Sequence, residues 1–317
     1  MKTVRDINVE DRKVLVRCDF NVPLNFKGKI EDDFRIKQAI PTLKYLQNKK
    51  AKLILMSHRS DGKSLNPVWD RIKKEIGSKE THFLENLRLD KREEKNDPVF
   101  AEELAKKGDV YVNDAFGVCH RNHASVTTIT EFLPSAAGLL LEKEVNMLEK
   151  IIKSPKRPLV AIIGGAKIES KAGVIDGFIK TADYILIGGK IAFEVKLKLP
   201  KIILPEDNIR TFDIGPKTIK NFKSIIKKAR TILWAGPLGY FEKKPFDKGT
   251  KEIAKAIAQN KAALKVAGGG DTIFAISKFG LKEKFDHLST GGGAMLAFLA
   301  GEKLPGLEVL GYYEKGN

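Results

Sequence analysis

Basic and polar side chains follow several predicted strands in the first half of the chain. The set comprises Arg17, Asp19, Asn21, Arg35, His58, Arg59, Arg88, His120, Arg121 and His123. An arginine guanidinium binds a carboxylate or a phosphate through paired hydrogen bonds. For any single one of these residues, a surface charge or a structural ion pair is the better explanation. Their shared position after strands predicts a pocket for a small polyanion.

Glycine clusters follow five predicted strands in the second half, in IIGGAK, ILIGGK, WAGPLG, VAGGGD and LSTGGG. Ligands of open α/β sheets bind outside the carboxyl ends of the strands, where glycines let backbone amides and helix N-termini approach phosphates. Asp271 directly follows one cluster, and Mg2+ is commonly held by one or two carboxylates plus phosphate oxygens. The alternative, that Asp271 or Thr272 only caps the next helix, stays open. The pattern predicts a nucleotide-phosphate site.

Other motif classes are disfavoured. Neither G-x-x-x-x-G-K-[ST] nor a G-x-G-x-x-G after the first strand is present, which argues against an ordinary P-loop NTPase and a dinucleotide-binding domain. DAFG and HRN occur without the rest of the protein-kinase set. His120 and His123 lack the further ligands of a zinc site. Cys119 neighbours His120, but adjacent residues rarely face each other, so a thiolate nucleophile is disfavoured too.

Strand-like and helix-like segments alternate along both halves, which predicts an α/β fold with parallel sheets. The segment GLLLEKEVNMLEKIIK, residues 138–153, is predicted to form one long helix that ends before Pro155 and bridges two domains. We expect two Rossmann-like parallel-sheet domains, residues 1–152 and 153–302, joined by this hinge helix.

Composition limits the class of protein. The 317 residues include 57 Lys and Arg against 40 Asp and Glu, a net charge of +17 that favours anionic partners. We expect no nucleic-acid partner, because aromatic residues are only 8% and no base-stacking module is evident. No apolar run approaches the ~18 residues of a membrane span, and the charged start predicts no secretory signal. With only two cysteines, a cytoplasmic location is expected.

Eight strings in the chain closely resemble the phosphoglycerate kinase family and occur in the family's order. They are VLVRCDFNVPL, ENLRLDKREEKND, YVNDAFGVCHRNHASV, IIGGAKIESKAGVI, ILPEDNIRTFDIGPKTI, WAGPLGYFEKKPFDKGT, GGGDTIFAISKFGL and STGGGA. The resemblance covers most of the chain. It implies a hinge-bending, monomeric kinase of glycolysis that transfers a phosphoryl group between 1,3-bisphosphoglycerate and ADP, giving 3-phosphoglycerate and ATP, with Mg2+.

The same resemblance assigns roles to residues. The acid is expected in the first domain and the nucleotide in the second, with residues 303–317 returning to the first domain. Arg35 and Lys167 match the catalytic positions, and Asp271 the metal position. The acid-binding positions are Asp19, Asn21, Arg35, His58, Arg88 and Arg121. The nucleotide-binding positions are Lys167, Lys171, Glu242, which would hold the ribose, Gly269, Gly270, Thr272, Gly291, Gly292 and Gly293.

The chain also departs from the family and is a compact variant, about 80 residues shorter than usual. Segments are expected to be missing between Gly77 and Glu85 and after Val195, where the family has helices near the adenine pocket. Asp61 stands where an arginine is usual, and Arg59 is expected to compensate. Two further departures affect the nucleotide side. Ala235 replaces an asparagine that contacts the nucleotide, and Lys190 replaces a glycine. The alternative function is a degenerate member that binds nucleotide or acid without transfer.

Overall fold

The computed structural model describes residues 1–166 and 171–314. It divides the chain into two compact units. The first consists of Met1–Val145 and the segment that starts at Lys303, and the second of Asn146–Glu302. Lys167 lies outside the described residues. None of the described helices is both long and apolar enough to cross a membrane.

The first unit is built on a parallel sheet of five strands in the order β3-β2-β1-β4-β5. The strands are β1 (Lys13–Arg17), β2 (Lys52–Met56), β3 (Thr81–Phe83), β4 (Val110–Asn113) and β5 (Ser135–Ala137). Its helices before the unit boundary are α1 (Phe34–Asn48), α2 (Asn66–Ile76) and α3 (Pro98–Ala105). The next helix, α4 (Leu139–Lys153), contains the boundary between the units.

Both faces of this sheet are buried, as expected where helices cover a parallel sheet. Val14 and Val16 of β1 belong to one apolar cluster with residues of α1 and α2, whereas Leu15 belongs to a second cluster with residues of α3. Successive side chains of a strand point to opposite faces, so each strand contributes to both clusters. The run VLVR is therefore apolar at every position before its last.

The second unit has a parallel sheet of six strands in the order β13-β12-β11-β6-β7-β8. These are β6 (Leu159–Ile163), β7 (Tyr184–Ile187), β8 (Ile202–Ile203), β11 (Thr231–Ala235), β12 (Leu264–Gly268) and β13 (His287–Ser289). A small antiparallel pair, β9 (Asn208–Ile209) and β10 (Asp213–Ile214), lies between β8 and β11 in the chain. The helices are α5 (Ala172–Thr181), α6 (Pro216–Lys228), α7 (Lys248–Gln259), α8 (Gly270–Lys278) and α9 (Gly292–Leu299).

The predicted fold class is confirmed: the chain is α/β, with a parallel sheet in each unit. The short strands β5, β8, β9 and β10 were not expected, because segments of two or three residues are too short to show a period. The segment after Lys303 includes α10 (Pro305–Glu308), and there the Gly306 amide donates to the Cys119 carbonyl at 2.9 Å.

Candidate functional site

In the first sheet, the connection after β1 runs to β2 on one side, whereas the connection after β4 runs to β5 on the other side. The chain thus changes its winding direction between β1 and β4. A crevice at the carboxyl ends of the strands is the usual ligand site of such a sheet. The loop after β1 brings together three of the predicted acid-binding residues. Arg35 Nη1 donates to both carboxylate oxygens of Asp19, each at 3.0 Å, and to the Asn21 carbonyl at 3.2 Å.

The Asp19 carboxylate is ionised in this arrangement. Burial opposes its charge, but the Arg35 guanidinium and neighbouring basic groups outweigh burial and lower its pKa. Arg35 keeps part of its side chain accessible, with 29% exposed against 7% for Asp19. Asp19 therefore orients Arg35 and leaves the far side of the guanidinium open to a ligand.

Beneath this loop lies a buried ionic group that the sequence did not predict. Arg17 is wholly buried and donates to Ser125 Oγ at 2.7 Å and to the Cys18 carbonyl at 2.6 Å. The buried carboxylate of Glu93 lies 3.7 Å from Arg17 Nη2 and accepts the Ser125 hydroxyl at 2.6 Å. The only sequence signal for Glu93 was its place within the string REEKND. Since a buried charge is costly unless it is paired, Glu93 and Arg17 require each other.

Arg17 also determines the protonation of His58. Its Nη2 lies 3.3 Å from His58 Nδ1. Arginine has only donors, so Nδ1 accepts and the imidazole proton is on Nε2. Burial lowers the pKa of His58 to about 2, and nearby arginines act in the same direction. His58 is therefore a neutral hydrogen-bond donor among cationic side chains.

Arg88 has a guanidinium that is only partly engaged within the protein. Within the part of the chain that the structure describes, its buried Nη2 has no hydrogen-bond partner, and its Nε is 3.1 Å from Glu94 Oε1 without forming a hydrogen bond. Burial lowers the pKa of Arg88, and the like charge of Arg121 lowers it further. His120 is also close to Arg121, which contributes with burial to a lowered His120 pKa. Mutually repelling cations, one of them with this partnerless donor, are an arrangement that an anion would stabilise.

The structure also gives the contacts of Arg59 and His123 and the protonation state of Cys119. Arg59 is buried and pairs with Asp61, and it donates to the Ser64 carbonyl at 2.8 Å, so its charge is already partnered. Burial raises the pKa of Cys119 to about 12, which keeps it a neutral thiol. His123 Nδ1 lies 3.8 Å from a carboxylate oxygen of Glu93 rather than in a metal set.

The second sheet reverses its strand order between β6 and β11. Here the two backbones approach closely: the Gly164 amide donates to the Ala235 carbonyl at 2.9 Å, and the Gly165 amide to the Pro237 carbonyl at 2.9 Å. A Cβ on Gly236 would lie 2.1 Å from the Gly164 oxygen, and Gly236 has φ of +99°. No other residue type fits this crossing without displacing the backbone.

Three helices begin around a cavity of about 390 Å³ at these strand ends. It is lined by Gly165, Ala166, Lys171, Gly236, Pro237, Gly269, Gly270, Asp271, Thr272, Gly292, Gly293 and Leu296. The amino ends of α8 and α9 both border it, and free amides at such ends bind phosphate. We refer to this cavity as the glycine cradle.

Lys171 and Asp271 are the charged residues among those that line the glycine cradle. Burial lowers the pKa of Lys171, and the nearby Asp271 carboxylate partly offsets that effect. Thr272 is buried, and its hydroxyl accepts the Gly236 amide at 2.7 Å, so it fixes one strand end to α8. The Gly291 amide donates to Ser289 Oγ at 3.3 Å and is thus engaged within the protein. Lys167, the other predicted phosphate ligand, lies outside the described residues.

A second cavity of about 620 Å³ adjoins the glycine cradle and shares Gly165, Ala166, Pro237 and Asp271 with it. We refer to it as the side cavity. Its remaining lining consists of Gly189, Lys190, Phe193, Glu194, Thr211, Phe212, Gly239, Tyr240 and Glu242. The predicted ribose ligand Glu242 and the departure Lys190 therefore border the same space.

A third cavity, at the opposite ends of β6 and β7, carries no comparable chemistry. It is lined by Arg157, Asp183 and Lys201 among others. Arg157 donates to Asp183 at 2.6 Å, and Lys201 donates to two backbone carbonyls at the end of α5. Arg157, Asp183 and Lys201 thus already have partners within the protein.

The donor set around Asp271 suits Mg2+ rather than zinc. Across residues 1–166 and 171–314, no three His, Cys, Asp or Glu side chains are grouped so that they could hold a metal ion. Asp271 is thus a single carboxylate beside a phosphate-type cavity, and Mg2+ is typically bound by one or two carboxylates together with substrate phosphates. His120 and His123 accordingly belong to no such group among the described residues.

The comparisons with known proteins agree on one family. The family model described as phosphoglycerate kinase matches residues 4–83, 65–201 and 194–302. Consecutive matches overlap at residues 65–83 and 194–201, beside the two places where family segments are expected to be missing. The phosphoglycerate kinase of Dictyoglomus turgidum is 40% identical over 391 aligned residues, with 98% of each chain covered. At least 74 of those positions have no counterpart here, since the chain has 317 residues against 391.

Solved structures agree with the sequence relatives. The phosphoglycerate kinase of Pyrococcus horikoshii superimposes with a TM-score of 0.86 at 29% identity, with all of both chains covered. That of Coxiella burnetii gives a TM-score of 0.84 at 29% identity, with 99% of each chain covered. A family model that spans most of the chain, relatives at 40% identity and a shared architecture lead to one conclusion: the chain belongs to the phosphoglycerate kinase family.

Proposed function

We propose that the protein catalyses phosphoryl transfer between 1,3-bisphosphoglycerate and ADP, which gives 3-phosphoglycerate and ATP. Its family consists of glycolytic kinases. The observation that carries the proposal is Arg88 Nη2, which has no hydrogen-bond partner among the described residues and lies beside the like charge of Arg121 in one unit, together with the glycine cradle in the other. The first suits a small acid phosphate, and the second suits a nucleotide phosphate chain.

The acid binds in the first unit. Arg88 and Arg121 supply positive charge, Arg35 is held by Asp19 with part of its guanidinium accessible, and His58 offers a neutral N–H. Asn21 supports the same loop, since its side-chain oxygen accepts the Ser60 amide at 3.2 Å. Guanidinium groups suit this ligand because each can bind two oxygens of a phosphate or carboxylate.

The nucleotide binds in the second unit, with its phosphates in the glycine cradle and its ribose beside Glu242. Gly269, Gly270, Gly292 and Gly293 bring backbone amides to the phosphates, Lys171 contributes charge, and Thr272 and Gly291 support the same edge. Asp271 is the proposed Mg2+ ligand. When bound, Mg2+ supplies positive charge to the phosphate oxygens.

Transfer itself requires little covalent help from the protein. A β-phosphate oxygen of ADP attacks the acyl phosphate, the bond from phosphorus to the acyl oxygen breaks, and the acid leaves as a carboxylate. Positioning and positive charge on the three equatorial oxygens carry most of the catalysis. We assign that charge to Arg35 and Lys167, the catalytic residues that the family resemblance implies.

A coupled assay of ATP formation from 1,3-bisphosphoglycerate and ADP tests the proposal. Arg35→Ala and Lys167→Ala should each lower kcat by ~10²–10³, the usual cost of losing one preorganised charge. Lys217→Ala, a surface lysine of α6, is the matched control and should retain wild-type rates. Near-normal turnover in either test variant would remove that residue's role.

Calorimetry on the unmodified protein separates transfer from binding alone. Binding of ADP and of 3-phosphoglycerate with no ATP formation would favour the degenerate alternative, which none of the comparisons supports. We also propose that the protein acts as a monomer, which light scattering after gel filtration would show as a mass near 35 kDa.

A further inference from the structure

One buried amide side chain, that of Asn86, joins two loops that carry proposed acid-binding residues. Asn86 follows β3, is 2% exposed and directly precedes the short 3-10 turn Leu87–Leu89. Its Oδ1 accepts the Arg88 amide at 3.1 Å and, from the loop after β2, the Arg59 amide at 3.0 Å. Arg88 is therefore anchored to this oxygen through its own amide, and His58 through the amide of the next residue.

The same side chain closes the loop after β2. Asn86 Nδ2 donates to the Arg59 carbonyl at 3.1 Å and to the Lys63 carbonyl at 2.9 Å. An amide side chain has two donor hydrogens and two acceptor lone pairs, so these four hydrogen bonds use its whole capacity. They also fix its orientation, since the flipped amide would place its donors against two N–H groups.

A helix cap alone does not explain this residue. The bond from the Arg88 amide is an ordinary N-cap contact, which serine or aspartate would supply equally well. The bonds to the two carbonyls need donors, which aspartate lacks, and a serine hydroxyl has only one hydrogen. Among the common capping residues, asparagine therefore has the donors and acceptors that cap the turn and hold the neighbouring loop at the same time.

The electrostatics of the acid site make such an anchor useful. Burial and the like charges of Arg121 and Arg17 lower the pKa of Arg88. Repulsion between cations favours any displacement that separates them. The hydrogen bond from the Arg88 backbone to Asn86 opposes that displacement before an acid is bound, so the basic site is held ready.

We propose that Asn86 is a positioning residue that sets the place of Arg88 relative to His58 and thereby the affinity for the acid. The inference rests on the proposed function, in which both of those side chains bind the acid. Asn86 acts through them, since its own hydrogen-bonding capacity is used within the protein. In the sequence it is one letter of ENLR, and its partners in the other loop lie 23 and 27 positions away.

Steady-state kinetics of Asn86→Ala and Asn86→Ser test the proposal. Each variant should raise the KM for 1,3-bisphosphoglycerate at least about tenfold, since a misplacement near 1 Å can cost ~10²-fold. The kcat and the KM for ADP should change less than about threefold, because the loss is one of acid binding. Serine still caps the turn, so Asn86→Ser decides the question if Asn86→Ala fails to fold. A wild-type acid KM in folded Asn86→Ser would mean that Asn86 is only a cap.

Asn260 provides a matched control, because its buried side chain makes the same set of hydrogen bonds in the other unit. Its Nδ2 donates to the Ile226 carbonyl at 2.8 Å and to the Ala229 carbonyl at 3.0 Å. Its Oδ1 accepts the Ala262 amide at 3.0 Å and the Ala263 amide at 3.1 Å. Asn260→Ala should lower the melting temperature as Asn86→Ala does, but leave both KM values within about threefold of wild type. A tenfold rise of the acid KM in Asn260→Ala would show a general effect of lost stability and overturn the inference.

A double-mutant cycle with Arg88→Ala separates positioning from an independent effect. The relative place of two groups has no influence on binding once one of them is absent. In an Arg88→Ala background, Asn86→Ser should therefore raise the acid KM less than about threefold, whereas independent effects would multiply. Multiplication of the two single effects would overturn the proposal.

Calorimetry with 3-phosphoglycerate keeps this inference distinguishable from the proposed function. The Kd for 3-phosphoglycerate should rise in Asn86→Ser by the same factor as the acid KM. A wild-type protein that transfers no phosphoryl group, but loses affinity for 3-phosphoglycerate on Asn86→Ser, would refute the proposed function alone. Normal transfer by the wild type, with an unchanged acid KM and Kd in Asn86→Ser, would refute only the role of Asn86.

Discussion

Replacement of Asp114 by asparagine should change how the stability of the first unit depends on pH. Its buried side chain lies under the first turn of α4, where Oδ1 accepts the amides of Leu140 at 2.9 Å and Leu141 at 3.4 Å. Among the described residues, nothing hydrogen-bonds to Oδ2. Burial raises the pKa of Asp114 from 3.8 to about 7, and the charge of Glu144 adds to that rise.

The direction in which the free energy of unfolding changes with pH follows from proton binding. Between pH 4 and pH 7 the folded protein holds a proton on Asp114 that the unfolded chain has lost. The free energy of unfolding therefore falls as pH rises through this window and levels off above pH 7. A rise from 3.8 to about 7 corresponds to about 4 kcal/mol over the full window. Between pH 5 and pH 8 the loss is about 2.5 kcal/mol.

Asp114→Asn keeps an acceptor for the two amides but cannot ionise. Relative to wild type, it should therefore be about 2.5 kcal/mol more favourable at pH 8 than at pH 5, whatever its constant cost. Asp213, whose pKa burial also raises to about 7, contributes equally to both proteins and cancels. Asp97→Asn removes a helix-capping carboxylate that stays accessible to solvent, and it is the matched control.

Urea unfolding at the two pH values measures this difference. The chain has two tryptophans, Trp69 in the first unit and Trp234 in the second, so a Trp234→Phe background makes fluorescence report on the first unit. A difference between the pH values within about 0.5 kcal/mol of zero, below the usual error of such comparisons, would refute the reasoning.

Three further predictions concern buried contacts. Glu93→Gln leaves the Arg17 charge without its counter-charge and should lower the free energy of unfolding by ~3–5 kcal/mol in urea titrations; a loss below ~1 kcal/mol would show that water compensates Arg17. Nitrogen-15 spectra of His58 should show a protonated Nε2 and an unprotonated Nδ1 from pH 5 to pH 8, because its pKa is about 2; a doubly protonated ring at pH 6 would contradict the assigned contact with Arg17. Gly236→Ala, whose Cβ would meet a backbone oxygen at 2.1 Å, should lower the free energy of unfolding by at least ~3 kcal/mol in thermal melts. Gly28→Ala, with φ of +73° but open space, is the control and should lower it by ~1 kcal/mol. Equal losses in the two variants would exclude the steric explanation.

The amino-acid sequence contains most of the information that assigns the fold and the family. Apolar runs such as VLVR and LVAII are readable because both faces of a parallel strand are buried, so no polar residue interrupts them. Gly164 after β6 and Gly236 after β11 are readable because close backbone approach excludes every side chain there. The family strings add the candidate roles of Arg35 and Asp271, which stay predictions until variants are measured.

Which donor atoms of the basic residues have partners was determined only by the tertiary structure. Arg59, Arg17 and Arg88 look alike in the sequence. In the structure, however, Arg59 pairs with Asp61 and Arg17 pairs with Glu93. Arg88 has a guanidinium nitrogen without a hydrogen bond among the described residues. Glu93 is 76 positions from Arg17 in the sequence, and no local pattern marks their pairing. Local preferences set strands and turns, but the cost of burying a charge depends on whatever the whole fold brings beside it.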